Sequence, residues 1–552
     1  MEGRVGNMQT VIIDHKQQRV NKLKYLFLSF LTTFQIFAFA QNGHVDTVKN
    51  VIILIPDGTS SGLVTLSRWY NGNKPLAIDP LICGMIKTHN ADGKLPDSAP
   101  AATAYALGIK TKAPYIGIDS NMKPRMSVLE LAMLKGLSTG IVVTSEFPHA
   151  TPASFVCHYD SRESKEYKNL IKQFIYKTPT LVFAGGMKYL HDNMYQTLLK
   201  PNGINLITDK SSFEQINELP PVRKSLWALF SDWQDSTKYK SYECDRDTSK
   251  EPSLSEMTHK AIQLLSQNEK GFFLVVEGSQ IDWAAHNNDP YAAVTDFLEF
   301  DKAVAVALDF AQKDKNTIVI ICPDHGNGGI SLGTSDETIF SEENKTNIKD
   351  VDITKDIIEP LSKIKCSARK LAELMLYDSA YISKDSIAKY YNFHATDSLV
   401  NLLEYFAKEA KNGDSIQYLL GRNFSLQNHI GWTTTKHTGE DVFLAIHAPD
   451  GIKKQTGVID NSDIGKYITE ILNLDDSDYF TDYFFCKHTK LFENAIVDTN
   501  YLSIEKNGKK IIVYPNTNII KYNETIILTM NSIALCVNGY YYLPLSILRY
   551  FD

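Results

Sequence analysis

Between residues 50 and 326 the chain carries four short apolar runs, rich in β-branched residues, that each stop abruptly at a polar or glycine-containing turn: NVIILIPDG (50–58), STGIVVTSE (138–146), GFFLVVEGSQID (271–282) and NTIVIICPDHG (316–326). Apolar residues fill consecutive positions rather than alternate ones, the pattern of strands covered on both faces. Segments 127–135, 254–267 and 290–312 lie between them and read as helices. Strands and helices in alternation predict an α/β chain, with a mostly parallel central sheet flanked by helices. In open sheets of this kind the ligand crevice lies just beyond the carboxyl ends of the strands. Asp57, Glu277, Asp282, Asp324 and His325 all fall at such ends.

The rest of the chain has a different texture. Residues from about 333 to 425 are helical and polar, with no strand-ending carboxylates, and read as a helical insertion over the sheet, a candidate lid or oligomer contact. From about 500 to 552, KKIIVYPNT, ETIILTM and IALCVNGYYYLPL give short strands separated by turns. They predict a small C-terminal β appendage, or else the last edge of the main sheet. At the other end, Lys16, Arg19, Lys22 and Lys24 precede YLFLSFLTTFQIFAFA and an Ala38-Phe39-Ala40 cleavage signal. This is the pattern of a signal peptide over residues 1–40, with a mature chain from about Gln41. It implies export to the periplasm or beyond, with no stable membrane span after cleavage. The competing reading is a membrane anchor, although the apolar stretch falls just short of the roughly 20 residues a span needs.

Composition narrows the function classes. In 552 residues, 43% hydrophobic and 22% charged, a net charge of −7 without a dense Lys/Arg block argues against nucleic acid as a partner. The seven cysteines include no Cys-x-x-Cys pair, so neither a zinc–thiolate site nor a dense disulfide scaffold is expected, while one disulfide stays open.

The candidate chemistry lies in four stretches. Asp57 in PDGTS ends a strand, where an aspartate alone is more often a helix cap. In VEGSQIDWAAHNND, Glu277 closes a buried strand, and Asp282 and His286 stand four apart. On a helix they share one face and suit a transition metal such as zinc; taken alone, they equally suit a cap and a surface histidine. CPDHGNGG places Asp324 beside His325, and GWTTTKHTGED supplies His437. Gathered at the ends of neighbouring strands, these carboxylates and imidazoles would make an anionic pit that metal ions neutralise at least cost. LPDSAPAATA (95–104) then sets Ser98 among tiny residues at a helix start. No histidine stands near Ser98 in sequence to act as its base, so coordination to one of two adjacent metals is the route that would activate it as a nucleophile.

Taken together these blocks resemble the alkaline phosphatase family. The Asp-Ser-Ala-x-x-Ala-Thr-Ala block is Asp97–Ala104, and the later blocks follow in the family's order from about residue 50 to about 450. The resemblance implies a catalytic domain over about 41–499 with two zinc ions and one magnesium. Asp282, His286 and His437 resemble the ligands of the first zinc, and Asp57, Asp324 and His325 those of the second. Asp57, Thr151 and Glu277 resemble the magnesium ligands. Ser98 would attack phosphorus and form a phosphoserine intermediate, and Arg162 in CHYDSR would grip two phosphate oxygens with its planar fork. His149 stands where an aspartate often orders the magnesium waters, and Trp283 where a lysine often contacts phosphate through water. The resemblance therefore implies hydrolysis of phosphate monoesters with weakened magnesium retention, and it leaves a homodimer open. The rival readings are a phosphodiesterase or sulfatase-like member of the same superfamily and a non-catalytic, metal-dependent phosphate-binding protein. A sulfatase's Cys/Ser-x-Pro-x-Arg block is absent from residues 95–104.

Overall fold

The computed structural model describes residues 47–552 except 223, 231–239, 335–350, 475–476, 499 and 524. The expected signal peptide, residues 1–40, lies outside them. No helix among the described residues is long and apolar enough to cross a membrane.

The four apolar runs are strands of one ten-stranded sheet. Its members are β1 (Asn50–Pro56), β2 (Ile82–Lys87), β3 (Ser138–Glu146), β4 (Leu181–Gly185), β5 (Ile204–Ile207), β6 (Ser225–Leu229), β7 (Phe272–Gly278), β8 (Thr317–Ile321), β9 (Val442–His447) and β10 (Gly457–Asp460). They lie in the order β10-β2-β9-β8-β1-β7-β3-β4-β6-β5, and β9 alone runs antiparallel to its neighbours. Every residue of β1 is buried, and its side chains part alternately to two cores. Ile52 and Leu54 join one hydrophobic cluster, and Val51, Ile53 and Ile55 join another on the opposite face. Register levels the strand ends. Ile55 faces Glu277 across β1–β7 and Leu54 faces Ile321 across β1–β8, so the segments after β1, β7 and β8 leave the sheet side by side.

The helices that matter for the site are α1 (Ser98–Leu107), α2 (Val128–Lys135), α3 (Ala150–Val156), α4 (Tyr167–Lys177), α5 (Leu254–Leu265), α6 (Gln280–His286) and α7 (Pro290–Asp314). Their limits follow local chemistry. Ser127 with Glu130, and Ser253 with Glu256, form reciprocal capping boxes at the starts of α2 and α5, and Gly136 ends α2 in the left-handed conformation. Asp289 caps α7 just before Pro290.

The insertion folds into α8 (Ala368–Tyr377), α9 (Lys384–Tyr391), α10 (Asp397–Lys408) and α11 (Gly413–Gln427). Leu371, Tyr391, Leu403 and Phe424 belong to the same cluster as Ile52 and Leu54, so the insertion thickens one helix layer. Asp289 ties it down, since its carboxylate accepts from the Ala368 amide at 2.8 Å and from the Tyr391 hydroxyl at 2.6 Å.

The C-terminal region is a separate antiparallel sheet and not an edge of the main one. It contains β11 (Cys486–Lys487), β12 (Ile496–Val497), β13 (Leu502–Lys506), β14 (Lys509–Val513), β15 (Thr517–Tyr522), β16 (Ile526–Val537) and β17 (Tyr540–Leu543), ordered β11-β17-β16-β15-β14-β13-β12. It starts ahead of the boundary at 500 read from the sequence, because strands of two residues leave no pattern to read. Leu502, Ile511, Val513 and Tyr541 form its own core, whereas Ile533, Leu535, Val537 and Tyr542 pack into the main core. All seven cysteines are free thiols, so the disulfide left open by the sequence is not formed.

Candidate active site

The carboxyl ends of β1, β7 and β8 supply Asp57, Glu277, and Asp324 with His325, all fully buried. α6 begins directly after β7 and carries Asp282 and His286 one turn apart. A glycine makes that approach feasible: Gly58 has a φ of +65°, and a Cβ there would lie 2.5 Å from Asp282 Oδ1. Beyond His325, Gly326–Asn327 pairs antiparallel with His437–Thr438 and so delivers His437 from a distant part of the chain. Ser98 is the first residue of α1 and is 1% exposed. The small residues of α1 let it lie close against α3, where the Ser154 hydroxyl donates to the Ala99 carbonyl at 3.2 Å.

Backbone carbonyls set the tautomers of three imidazoles. His286 Nδ1 is 2.7 Å from the Thr435 carbonyl, His325 Nδ1 is 3.2 Å from that of Gly326, and His437 Nδ1 is 3.1 Å from that of Pro96. A carbonyl only accepts, so Nδ1 carries a proton and Nε2 is the atom left to bind a cation. The Nε2 atoms converge. Those of His286 and His437 are 3.2 Å apart and lie 3.3 and 3.6 Å from the two carboxylate oxygens of Asp282. His325 Nε2 lies 3.2 Å from Asp324, 3.7 Å from Asp57 and 3.3 Å from Ser98 Oγ.

Three groups of potential ligand atoms result, each within 4.8 Å of one another: Asp282, His286 and His437; Asp57, Asp282 and His325; and Asp57, His149 and Glu277. Asp282 and Asp57 each belong to two groups, which makes the three positions neighbours. Both oxygens of Asp57, Glu277 Oε1, Asp324 Oδ2, Thr151 Oγ1 and His149 Nδ1 are buried with no hydrogen-bond partner. Buried atoms left in that state cost about 1–3 kcal/mol each. Oxygen and imidazole donors in this arrangement fit divalent cations, zinc among them.

Charge crowding shows in the ionisation of the same groups. Burial, then the nearby Asp324, Asp282 and Glu277, pushes Asp57 well above the usual carboxylate range, and burial pushes Glu277 up to about 7. Burial acts the same way on Asp282, but the imidazoles of His286, His437 and His325 outweigh it and hold this carboxyl below the usual range. His437 is pushed down to about 4 by burial and by His325. A cation held here would do the work of those protons and let every carboxylate stay ionised.

Arg162 stands at the mouth of the pit. Its Nη1 is bonded to Asp97 Oδ1, and its Nη2 lies 3.3 Å from His149 Nε2. A guanidinium only donates, so His149 accepts through Nε2. Burial and then Arg162 push His149 down to about 3, and the ring is neutral at working pH. The His149 and Trp283 rings meet nearly at right angles with centroids 5.6 Å apart, and the Arg369 guanidinium from α8 lies 5.7 Å from Trp283 and 3.8 Å over Tyr242. Two cavities open here: one of about 490 Å³ lined by Asp97, Arg162, Asp282 and His437, and one of about 1070 Å³ between the site and the insertion, lined by His149, Trp283, Arg369 and Tyr418.

The fold thus brings the residues singled out in the sequence to one place, with differences in detail. In the second group Asp282 stands with Asp57 and His325 where the resemblance put Asp324, which falls in none of the three groups although its Oδ2 lies 3.2 Å from His325 Nε2. His149 joins the third group, where the resemblance gave it a supporting role. The absence of a neighbouring histidine for Ser98 was true of the sequence alone, since folding puts His325 beside it across 227 positions. Sequence reasoning missed Asp97 as the partner of Arg162. It also missed Asn327, whose Nδ2 donates to Asp282 Oδ1 at 2.6 Å, and Ser279, whose hydroxyl donates to Glu277 Oε2 at 2.5 Å. The one sequence signal for these was their place beside or between the residues already noted.

The sequence matches the family described as "Alkaline phosphatase" over residues 48–474. It is 34% identical over 441 residues to "Alkaline phosphatase 4" of Bacillus subtilis (strain 168), covering 77% of this chain and 89% of that one. It is 32% identical over 329 residues to "Alkaline phosphatase" of Escherichia coli (strain K12), covering 50% of this chain and 70% of that one. Among solved structures, the fold is similar to that of the cold-active enzyme from the psychrophile Shewanella sp., with a TM-score of 0.65 and 26% identity over 77% of this chain and 99% of that one.

Proposed function

Because the chain belongs to the alkaline phosphatase family, whose members are phosphomonoesterases, we propose that it is an exported enzyme that hydrolyses phosphate monoesters through a phosphoserine on Ser98. Asp282, His286 and His437 would hold one zinc, and Asp57, Asp324 and His325 a second. Asp57, Thr151 and Glu277 would hold a magnesium beside His149. Bound there, the cations would supply positive charge to the transferring phosphoryl group and ease the loss of a proton from a coordinated hydroxyl.

The chain's own residues do the rest. Ser98 Oγ, held at the start of α1, forms a bond to phosphorus as the bond to the leaving oxygen breaks, and the proton given up by the Ser98 hydroxyl is made good on the leaving alcohol through solvent. The backbone amides of Ser98 and Ala99, at the start of that ten-residue helix, would add donors for the phosphoryl oxygens. Arg162 turns its fork from Asp97 and His149 to two phosphate oxygens. Water then takes the phosphoryl group from Ser98, which restores the hydroxyl and releases phosphate. The leaving group faces the two cavities, whose lining mixes acids, bases and aromatic rings, so many alcohols would be accepted.

The observation that carries this reading is the set of buried, unpartnered carboxylate oxygens and converging Nε2 atoms around Ser98 Oγ. Metal content and p-nitrophenyl phosphate turnover, measured before and after chelation, test it. Expected are bound zinc, loss of activity on chelation with recovery on readdition, and turnover of Ser98→Ala down by about a thousandfold or more with zinc retained. Fully active metal-free protein, or faster cleavage of the p-nitrophenyl diester than of the monoester, would overturn it. Export rests on the basic and apolar pattern before Gln41, and amino-terminal sequencing of secreted material is expected to begin near that residue.

A further inference from the structure

The C-terminal sheet lies wholly beyond the family match, which ends at residue 474. We propose that it is a brace for the phosphate-gripping arginine, with Asn516 and the turn at Asn538 acting as positioning groups for Arg162. The inference rests on Arg162 binding phosphate, as argued above.

Arg162 sits between the end of α3 and the start of α4, in a stretch without a regular strand or long helix. Its side chain must nonetheless present two nitrogens at defined points, and the C-terminal sheet grips the chain on both sides of it. Ahead of Arg162, the His158 amide donates to Gln173 Oε1 at 2.9 Å, and Gln173 Nε2 donates back to the His158 carbonyl at 3.0 Å. The same Nε2 donates to Asn516 Oδ1 at 3.2 Å. Two residues before Arg162, the Asp160 carboxylate accepts the Asn538 amide at 3.0 Å, from the turn between β16 and β17. After Arg162, Asn516 Nδ2 donates to Asn169 Oδ1 on α4 at 3.1 Å, and Asn169 Nδ2 donates to the Tyr159 hydroxyl at 2.9 Å.

Asn516 can act as an anchor because it is itself fixed. It is 2% exposed, has a φ of +57°, a conformation asparagine tolerates better than most residues, and donates its amide to the Ala534 carbonyl at 2.7 Å. Behind the turn, Ile533, Leu535 and Val537 are locked into the main core. A bidentate contact requires placement within about 0.5 Å, and a misplacement near 1 Å can cost about a hundredfold in rate. Bonds from the C-terminal region reach Asp160, Asn169 and Gln173, the last of which holds residue 158, and they add to the backbone pair between Ile116 and Tyr159 in supplying that constraint.

The test uses the full-length, metal-loaded enzyme. Asn516→Ala and Asp160→Ala are each expected to weaken inhibition by inorganic phosphate and lower kcat/KM about threefold to tenfold with zinc content near that of the parent; the melting temperature should stay near the parent's in Asp160→Ala and fall in Asn516→Ala, which puts alanine at a positive φ and unpairs buried amides. Asp160→Asn keeps an acceptor for the Asn538 amide and is expected to stay within about twofold of the parent. In an Arg162→Ala background, Asn516→Ala and Asp160→Ala should have almost no further effect, because the group they position is gone. Unchanged phosphate affinity in both alanine variants would overturn the proposal, as would a loss that persists in full without Arg162. If Arg162→Ala alone leaves phosphate affinity unchanged, the reading of Arg162 as the phosphate grip falls and the brace falls with it.

Discussion

Replacing Arg162 separates the value of a positive charge at the site from that of a planar fork. The guanidinium is held from two sides, with Nη1 on Asp97 and Nη2 beside His149, and its side chain is only 21% exposed. It is therefore aimed before substrate arrives. A hydrogen bond to a charged group contributes about 1.5–3 kcal/mol, so two bonds to phosphate oxygens amount to about 3–6 kcal/mol. Part of this is offset, because the same nitrogens leave Asp97 and His149 when phosphate binds. The lower half of the range, a loss of about 10²–10³ in kcat/KM, is the expectation for Arg162→Ala. Arg162→Lys keeps the charge but offers a single point of contact, so a loss of about tenfold to thirtyfold is expected. The assay is kcat, KM and the inhibition constant of inorganic phosphate at saturating zinc, with metal content measured in each variant. An alanine variant that loses less than about tenfold would refute the assignment of the phosphate grip. A lysine variant equal to the parent would refute the importance of the fork.

Further outcomes follow from other contacts. His149→Asp replaces a neutral ring, already engaged by Arg162, with an anionic oxygen donor that suits magnesium. This variant should hold magnesium at chelator concentrations about tenfold above those that strip the parent, and equal retention in a chelator titration would count against the argument. Asn327→Ala removes the donor that orients Asp282, and zinc affinity, read by competition with a chromogenic chelator, should fall about tenfold to a hundredfold. Away from the site, burial acts against ionisation of Glu130, yet His158 and Lys177 hold it at about 2. A depressed carboxyl contributes stability that is present above its ordinary value near 4.5 and lost as pH falls towards 2, here about 3 kcal/mol. His158 is also depressed, by burial, and acts in the same direction on the acid side. Melting temperature should therefore drop steeply between pH 5 and pH 2 in the parent. In Glu130→Gln the drop should be shallower and the pH 7 value already lower by several degrees; an unchanged acid profile would sink the assignment.

The main strands could be read from the sequence because strands covered on both faces carry uninterrupted apolar runs, and β1, β3, β7 and β8 begin and end close to where those runs do. The limits of α2 and α5 were equally local, since Ser127 with Glu130 and Ser253 with Glu256 stand three apart. The two-residue strands Cys486–Lys487 and Ile496–Val497 were not, because a pair of residues has no period and its pairing is decided by β17 and β13.

Local patterns along the chain are enough for the inventory of the site: carboxylates at strand ends, an aspartate and a histidine one helical turn apart, and a serine among residues too small to crowd it. Such patterns report burial and backbone bonding over a few positions. Tertiary structure alone decided which of these groups meet, and in what state. The strand register sets Asp57, Glu277 and Asp324 level, and pairing with Asn327 delivers His437. Carbonyls of Thr435, Gly326 and Pro96 choose which imidazole nitrogen faces inward. Each of these depends on contacts between residues far apart in the chain, and interatomic distances across such separations follow from the packing of the whole sheet.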